Sequence, residues 1–418
     1  MSTKQTPYRL YDPVYIVGPG RCGTSSMAEL VQSMGIYLGQ GFSEPVEHQP
    51  KGDFEDNTLK QMSLACLTDQ IQPREWLLSF EQWFIHHRAM RIPWGAKSPH
   101  LAHFMPKVME YSPNSKVIRC MRPIADIRKS MMKCYNWTAE YADKVIQSRE
   151  EMLTQALADH DTLVVQLSEW KTPTKVKSKV REYLGELVHG EELPKPKVLM
   201  AVPNLGEVHT SVVETTHELA KDSRVKMRVC FPAAMPLEVN RNRICKELLA
   251  GDDDYLLSID SDNPPKKNPL DLLFLGKDIV GYPTRMHSAQ GALYNTFITN
   301  EDDDYQAVYP VDFGSDSGLM KIGAVGTGCV LIKREVIEAL WPFPFELLLD
   351  ETGTHKVLGS DLHFCKKARG KGFEIWAHFE YCCSHYKCAD LDVLAELGKK
   401  QEMHLLKRKD LAEDTEAA

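Results

Sequence analysis

Val14-Tyr15-Ile16-Val17-Gly18-Pro19-Gly20-Arg21-Cys22-Gly23-Thr24-Ser25-Ser26-Met27 is the stretch that decides the fold. Four β-rich residues run into a glycine-rich turn. A helical segment, Ser25–Met34, follows, opened by Thr and Ser. Strand, glycine turn and helix start is a geometry that binds phosphate. Glycines let backbone N–H groups approach an anion, and the helix start adds unsatisfied donors and a favourable dipole. Arg21 can bridge phosphate oxygens, and Thr24 and Ser25 supply hydroxyls. A Walker loop would read GxxxxGK[ST]. Gly18 and Gly23 have that spacing, but Thr24 stands where the lysine belongs, which disfavours ATP phosphoryl transfer. The plainer alternative is a tight glycine turn.

A second opening strand, Val198–Val202, ends in Pro203. Between the two, Glu191-Glu192-Leu193-Pro194-Lys195-Pro196-Lys197 has the charge and proline content of a linker. The expectation is α/β throughout, with domains over 1–193 and 194–398 and a charged tail over 399–418. Strand-like runs at Lys116–Cys120, Val225–Phe231, Tyr255–Ile259, Asp278–Tyr282 and Cys329–Ile332 alternate with helical stretches at Ile124–Cys134, Ser211–Lys221 and Arg241–Leu249. That alternation predicts two sheets flanked by helices.

In the second half, Asp252-Asp253-Asp254-Tyr255-Leu256-Leu257-Ser258-Ile259-Asp260-Ser261-Asp262-Asn263-Pro264 closes an apolar strand with Asp-Ser-Asp. Carboxylates at i and i+2 there can converge on one hard cation, and Mg²⁺ or Mn²⁺ held this way commonly bridges to a diphosphate. Cys382, Cys383, His385 and Cys388 offer a competing zinc reading, but no second CxxC pair accompanies them. The acidic runs Asp252–Asp254 and Glu301–Asp304 read as solvated loops.

The 418 residues carry a net charge of −8. Residues 1–190 hold 23 Lys+Arg and 21 Asp+Glu, leaving 27 and 37 for the remainder. A general nucleic-acid coat would be basic throughout. No apolar run approaches the roughly 18–20 residues of a membrane span. The first residues, MSTKQTPYRLYDP, hold no apolar signal core, and 11 cysteines at scattered spacing do not form a secreted disulfide framework. These features predict a reduced, cytoplasmic protein.

The loop from Gly18 to Ser25 resembles the 5′-phosphosulfate loop of sulfotransferases, commonly Gly-x-x-Arg-Ser-Gly-Thr-Ser, with Cys22 in place of a serine. Lys116–Pro123 followed by Ser130 resembles the family's 3′-phosphate segment, although Pro123 follows the arginine directly. Lys51–Asp56 is similar to its Gly-x-Phe-Glu stretch, and Gly95–His100 to its Lys-Ser/Thr/Asp-Pro segment. The resemblance implies a P-loop sulfotransferase-like domain that binds PAPS (3′-phosphoadenosine 5′-phosphosulfate) or PAP. Gly20, Arg21, Cys22, Gly23, Thr24, Ser25, Arg122 and Ser130 would hold it. Lys97 would stabilise the moving sulfuryl group, and Glu55 or His48 would take the acceptor proton.

The second half resembles GT-A (Rossmann-like) glycosyltransferases, family-2-like enzymes of phages and bacteria. The matching segments are Val198–Pro203, Asn240–Arg243, Asp260–Asp262, Asp278–Tyr282, Gly326–Ile332, Gly359–Cys365 and Gly372–Ile375 leading to His385. Ser360 replaces the family's glutamate. The resemblance implies a UDP- or GDP-linked sugar donor contacted by Pro203, Arg241 and Asp260. It further implies Mn²⁺ or Mg²⁺ on Asp260, Asp262 and His385, Asp361 as base, and inversion at the anomeric carbon. The combined expectation is a bifunctional transferase acting on a hydroxyl acceptor: a glycan, a small glycoside or a modified nucleobase. The sequence indicates no membrane partner and no nucleic-acid motif, though a nucleic acid stays possible as acceptor. The alternative leaves only the glycosyltransferase half active, with the first half a nucleotide- or acceptor-binding module or a kinase-like phosphotransferase.

Overall fold

The computed structural model describes residues 9–39, 54–288, 291–300, 303–308 and 318–386. Strand β1 (Val14–Val17) is buried at every residue, as an apolar run with no alternation requires. It pairs in parallel with β2 (Gly95–Lys97) on one side and β3 (Lys116–Met121) on the other, and β4 (Thr162–Gln166) adds in parallel beyond β3. A Cβ at Gly95 would collide with the carbonyl of Val14, so glycine is required where β2 begins. Parallel strands need crossovers. These carry α1 (Thr24–Gln32), α2 (Asn57–Leu67), α3 (Pro73–Ala89), α4 (Met105–Tyr111), α5 (Ile124–Tyr135) and α6 (Ala139–Ala156). Helix α7 (Pro173–Leu184) follows β4.

The second sheet is larger and mixed. Strand β5 (Lys197–Ala201) lies in parallel between β6 (Lys226–Cys230) and β7 (Tyr255–Ile259). Cys329–Lys333 runs antiparallel between β7 and β8 (Ile279–Gly281). Ile375–His378 is parallel to β8, and Leu319–Ile322 closes that edge antiparallel. Helices α8 (Thr210–Ala220), α9 (Leu237–Ala250), α10 (Arg334–Leu340) and α11 (Ser360–Gly370) belong to this half. The four-stranded sheet draws on residues 14–166 and the seven-stranded sheet on residues 197–378.

The two sheets share one continuous apolar cluster. Trp76, Phe80, Trp83 and Phe84 of α3 belong to it together with Leu270–Leu275, Tyr282 and Tyr381. Polar contacts cross the same seam. Arg88 donates to the carbonyls of Phe274 and Leu275 at 3.2 and 3.1 Å and pairs with Asp12. Buried His378 pairs with buried Glu81, which also accepts from the Tyr111 hydroxyl at 2.9 Å. The proline-rich segment expected as a linker is fastened down. Leu193 and Arg91 exchange hydrogen bonds at 2.8 and 2.7 Å, and Tyr11 donates to the Glu191 carbonyl at 2.8 Å. The tail over 399–418 lies outside the described residues.

Candidate functional site

The loop after β1 is shaped by three residues with positive φ: Gly20 at 99°, Arg21 at 54° and Gly23 at 95°. Gly23 caps α1 and supplies no side chain, and α1 has no acidic residue in its first turn. Its first N–H groups therefore lack the usual side-chain acceptor, which is the condition for anion binding at a helix start. Gly18 has no room for a Cβ, because the Cys22 sulfur and the Cys120 carbonyl fill that space. The same packing corrects one expectation. The Cys22 thiol faces the core, and burial pushes its pKa up to about 11. Cys22 can thus serve an anion only through its backbone.

Residues far apart in sequence converge on this loop. Arg21 Nε donates to Ser130 Oγ at 3.1 Å, and Arg122 donates to the Arg21 carbonyl at 3.4 Å. Arg122 also lies 3.7 Å from Asp126. Lys97, at the end of β2, forms a buried ion pair with Glu55 at 2.9 Å, and Ser98 donates to the other Glu55 oxygen at 3.2 Å. Thr24 is buried and Ser25 half-buried in the first turn of α1. His48 lies outside the described residues. A cleft of about 770 Å³ opens beside α3, lined in part by Asp56, Asn57, Gln82, Trp83 and His86. Asp56 directly follows Glu55.

Three residues at the loop escaped the sequence reading. Arg149 of α6 is buried, and its guanidinium donates to the Pro19 carbonyl at 2.9 Å. The same group touches His100 Nδ1 and His103 Nε2, each at 3.3 Å. Burial first, and Arg149 second, push the two imidazoles down to about 3 and about 4. Both are neutral at pH 7. A signal was available: Ala142, Ile146, Arg149 and Leu153 are the buried stripe of α6, and an arginine at an apolar position of such a stripe is unusual.

In the second half, β7 is wholly buried and delivers Asp260 at its end, where the Asp260 N–H donates to the Gly328 carbonyl at 2.8 Å. One carboxylate oxygen of Asp260 lies 3.5 Å from Arg241, and the other is buried without a hydrogen-bond partner. Burial raises the Asp260 pKa, and the nearby charges of Asp262 and Asp361 add to the rise against the pull of Arg241. Arg241 also reaches Ser360 Oγ at 3.5 Å, the position where the resemblance would have a glutamate. Asp361 lies in the first turn of α11 and accepts from the Leu362 N–H at 2.9 Å.

Asp262 and His385 meet, with His385 Nε2 3.7 Å from an Asp262 oxygen. His385 Nδ1 lies 3.2 Å from the Arg285 carbonyl. A carbonyl only accepts, so Nδ1 carries the hydrogen. The expected three-ligand metal set is not assembled. No three His, Cys, Asp or Glu groups gather for a metal among the described residues, and Asp260 is turned to Arg241 because a half-buried carboxylate with one fully buried oxygen gains from a counter-charge. The zinc reading fares no better: the Cys382 thiol is occupied with the Phe379 carbonyl, Cys383 is buried in the core, and Cys388 lies outside the described residues.

Pro203 turns the chain after β5, and Asn204 locks that turn by donating to the Val202 and Pro232 carbonyls at 3.1 and 3.2 Å. The turn reaches the acidic strand end through His209, whose N–H donates to the Ser261 carbonyl at 2.8 Å. The His209 ring stacks on Tyr386 with centroids 3.9 Å apart, and the Tyr386 N–H donates to the Asp262 carbonyl at 2.9 Å. The sequence reading had not singled out this aromatic pair, and no local motif marks it.

No family model matches this chain, and no curated protein does. Among solved structures, A197 from STIV is similar at 15% identity and a TM-score of 0.33, over 46% of this chain and 86% of that one. Sulfotransferase STF1 from Mycobacterium tuberculosis H37Rv is similar at 14% identity and a TM-score of 0.30, over 42% of this chain and 68% of that one. GalNAc-T7, solved with UDP, GalNAc and Mn²⁺, is similar at 12% identity and a TM-score of 0.30, over 47% of this chain and 45% of that one. This chain therefore spans less than half the length of GalNAc-T7. TM-scores this low fix neither fold nor function for this chain.

Proposed function

We propose that the chain is a two-site transferase. Residues 1–193 would bind PAPS and transfer its sulfuryl group, and residues 194–398 would transfer a sugar from a UDP- or GDP-linked donor. The observation that carries the reading is the meeting of Arg21, Arg122 and Ser130 at the uncapped start of α1. Three groups suited to phosphate oxygens, more than 100 residues apart at the extremes, have no other evident reason to converge there.

In the first site, the acceptor oxygen would bond to sulfur as the bond from sulfur to the 5′-phosphate oxygen breaks. PAP leaves, and the acceptor proton passes to Glu55. Such loose group transfers need positioning and positive charge more than covalent help. Lys97 lies beside Glu55 and would stabilise the charge on the departing phosphate. The cleft one residue beyond Glu55 would admit the hydroxyl acceptor.

In the second site, Asp262 and His385 fit a divalent cation as two ligands. With the hydrogen on Nδ1, Nε2 is the ring atom that faces the Asp262 carboxylate and would join it on a cation. Mn²⁺ or Mg²⁺ there would neutralise a departing diphosphate. Asp260 would steer Arg241 toward the donor, and Asp361 would accept the acceptor proton.

A second reading keeps only the glycosyltransferase half active. The Lys97–Glu55 pair favours it, because the two groups assigned to sulfuryl transfer occupy each other. Calorimetry with PAP and ATP, together with a donor-hydrolysis panel in Mn²⁺, separates the readings. The expected result is PAP binding that weakens about tenfold in Arg122→Ala, no ATP binding, and hydrolysis of one nucleotide sugar. PAP binding untouched by Arg122→Ala would refute the first site.

A further inference from the structure

Arg149 sits behind the anion loop as a buried cation without a carboxylate partner. Its contacts are all neutral: the Pro19 carbonyl, His100 and His103. Among the described residues no ion pair reaches it. Glu55, the carboxylate whose charge acts on it, is already paired with Lys97. A buried charge left uncompensated is expensive, and a fold keeps one where something else makes use of it.

The geometry shows what that use is. A trans peptide points its C=O and the following N–H in opposite directions. Arg149 holds the Pro19 carbonyl from behind, at 2.9 Å, and the N–H on the other side of that peptide, Gly20's, is turned to the buried Cys22 thiol. Gly20 has φ 99°, and a Cβ there would lie 3.1 Å from the guanidinium and 3.2 Å from Met131. Arg149 and the Cys22 thiol therefore hold the peptide that opens the turn from its two sides, Arg149 through a charge-assisted hydrogen bond. His100 and His103 are suited to this place because neutral imidazoles accept from the guanidinium without quenching its charge.

We propose that Arg149 is the positioning residue of the anion loop: it fixes the peptide that opens the turn and supplies unquenched positive charge from behind the bound anion. This rests on the reading of the loop as an anion site, but not on which anion it takes. The test uses the full chain and its Arg149→Met and Arg149→Lys variants. Binding of PAP and of inorganic sulfate is read by calorimetry, and thermal melting is recorded without ligand.

The expected result is that Arg149→Met binds each probe at least tenfold more weakly, while Arg149→Lys recovers part of the loss. The unliganded Arg149→Met chain should melt no lower than wild type, since it no longer buries a lone charge; a merely structural arginine would give a lower melting point. Unchanged affinity in Arg149→Met overturns the proposal. If that variant does not fold, unchanged affinity in Arg149→Lys overturns it instead. Wild-type binding of sulfate but not PAP refutes the PAPS reading alone, and the Arg149 proposal is then judged on sulfate. Wild-type binding of neither probe overturns both.

Discussion

The two candidate sites are opposite in charge and alike in construction. At the glycine loop the unmatched buried charge is a cation, Arg149, surrounded by neutral acceptors. At the end of β7 the charge is an anion, Asp260, which Arg241 meets at 3.5 Å on one oxygen while the other lacks a hydrogen-bond partner. The first half leaves its charge without an opposite partner and the second leaves its charge only half satisfied, each beside the end of a buried strand leading into a turn. Under the proposed function, the contrast gives one chain two ways to meet an anionic ligand. The first half would present donors directly to the anion, while the second half, presenting carboxylates, would place a cation between. The whole-chain charge of −8 averages these and describes neither.

The sharpest way to break the comparison is to remove the carboxylates. Asp260→Asn with Asp262→Asn should lower donor hydrolysis in Mn²⁺ by about a thousandfold, the scale expected when charge stabilisation at a diphosphate is lost. PAP affinity, measured on the same preparation, should not move. A parallel fall in PAP affinity would show that the sites are one, which the shared apolar cluster and the Arg88 and His378 contacts make a real alternative.

The next effect concerns the cationic half. Lys97→Met should cut turnover of PAPS by about a hundredfold or more, and it should also lower stability by about 3 kcal/mol, because Glu55 is left buried without its partner. Adding Glu55→Gln should restore most of the stability and none of the turnover. If the double variant recovers turnover, Lys97 serves the fold and not the transfer.

Much of the fold was legible because the signals are local. The β1 and Tyr255–Ile259 strands agree with the sequence reading to the residue, and the helix expected over Ile124–Cys134 runs over Ile124–Tyr135. The meeting of Arg21, Arg122 and Ser130 was readable from motif spacing. What was not legible depends on side-chain direction and long-range packing. Nothing in the Asp-Ser-Asp motif says that Asp260 turns to Arg241 while Asp262 turns to His385. The linker composition of 191–197 was read correctly as proline-rich, but its fastening by Arg91 and Tyr11 needs residues 100 and more positions away. Helix α3, which joins the halves through Glu81 and Arg88, escaped notice because its face toward the second half is polar as well as apolar.

The smallest effect is a difference in how acid acts on the two sites. His100 is held down to about 3, from its ordinary 6.5, by burial and by Arg149. A group with a depressed folded pKa contributes stability that is complete above its unfolded value and is lost as pH falls toward the folded one. Between pH 6.5 and about 3, the unfolded chain takes a proton at His100 that the folded chain refuses. Asp260 is raised by burial, and its sign is the reverse. Its contribution is complete below the ordinary 3.8 and is lost as pH rises through the raised value. Acid therefore loosens the glycine loop and relaxes the end of β7. Denaturant unfolding at about pH 7 and about pH 5 should show a loss near 1 kcal/mol per unit from His100, allowing for its partial exposure. In His100→Asn, which keeps an acceptor for Arg149 but cannot titrate, that slope should be shallower by the same amount. An unchanged slope would mean that His100 takes its proton within the folded chain, and the neutral lining of the Arg149 cavity would have to be given up.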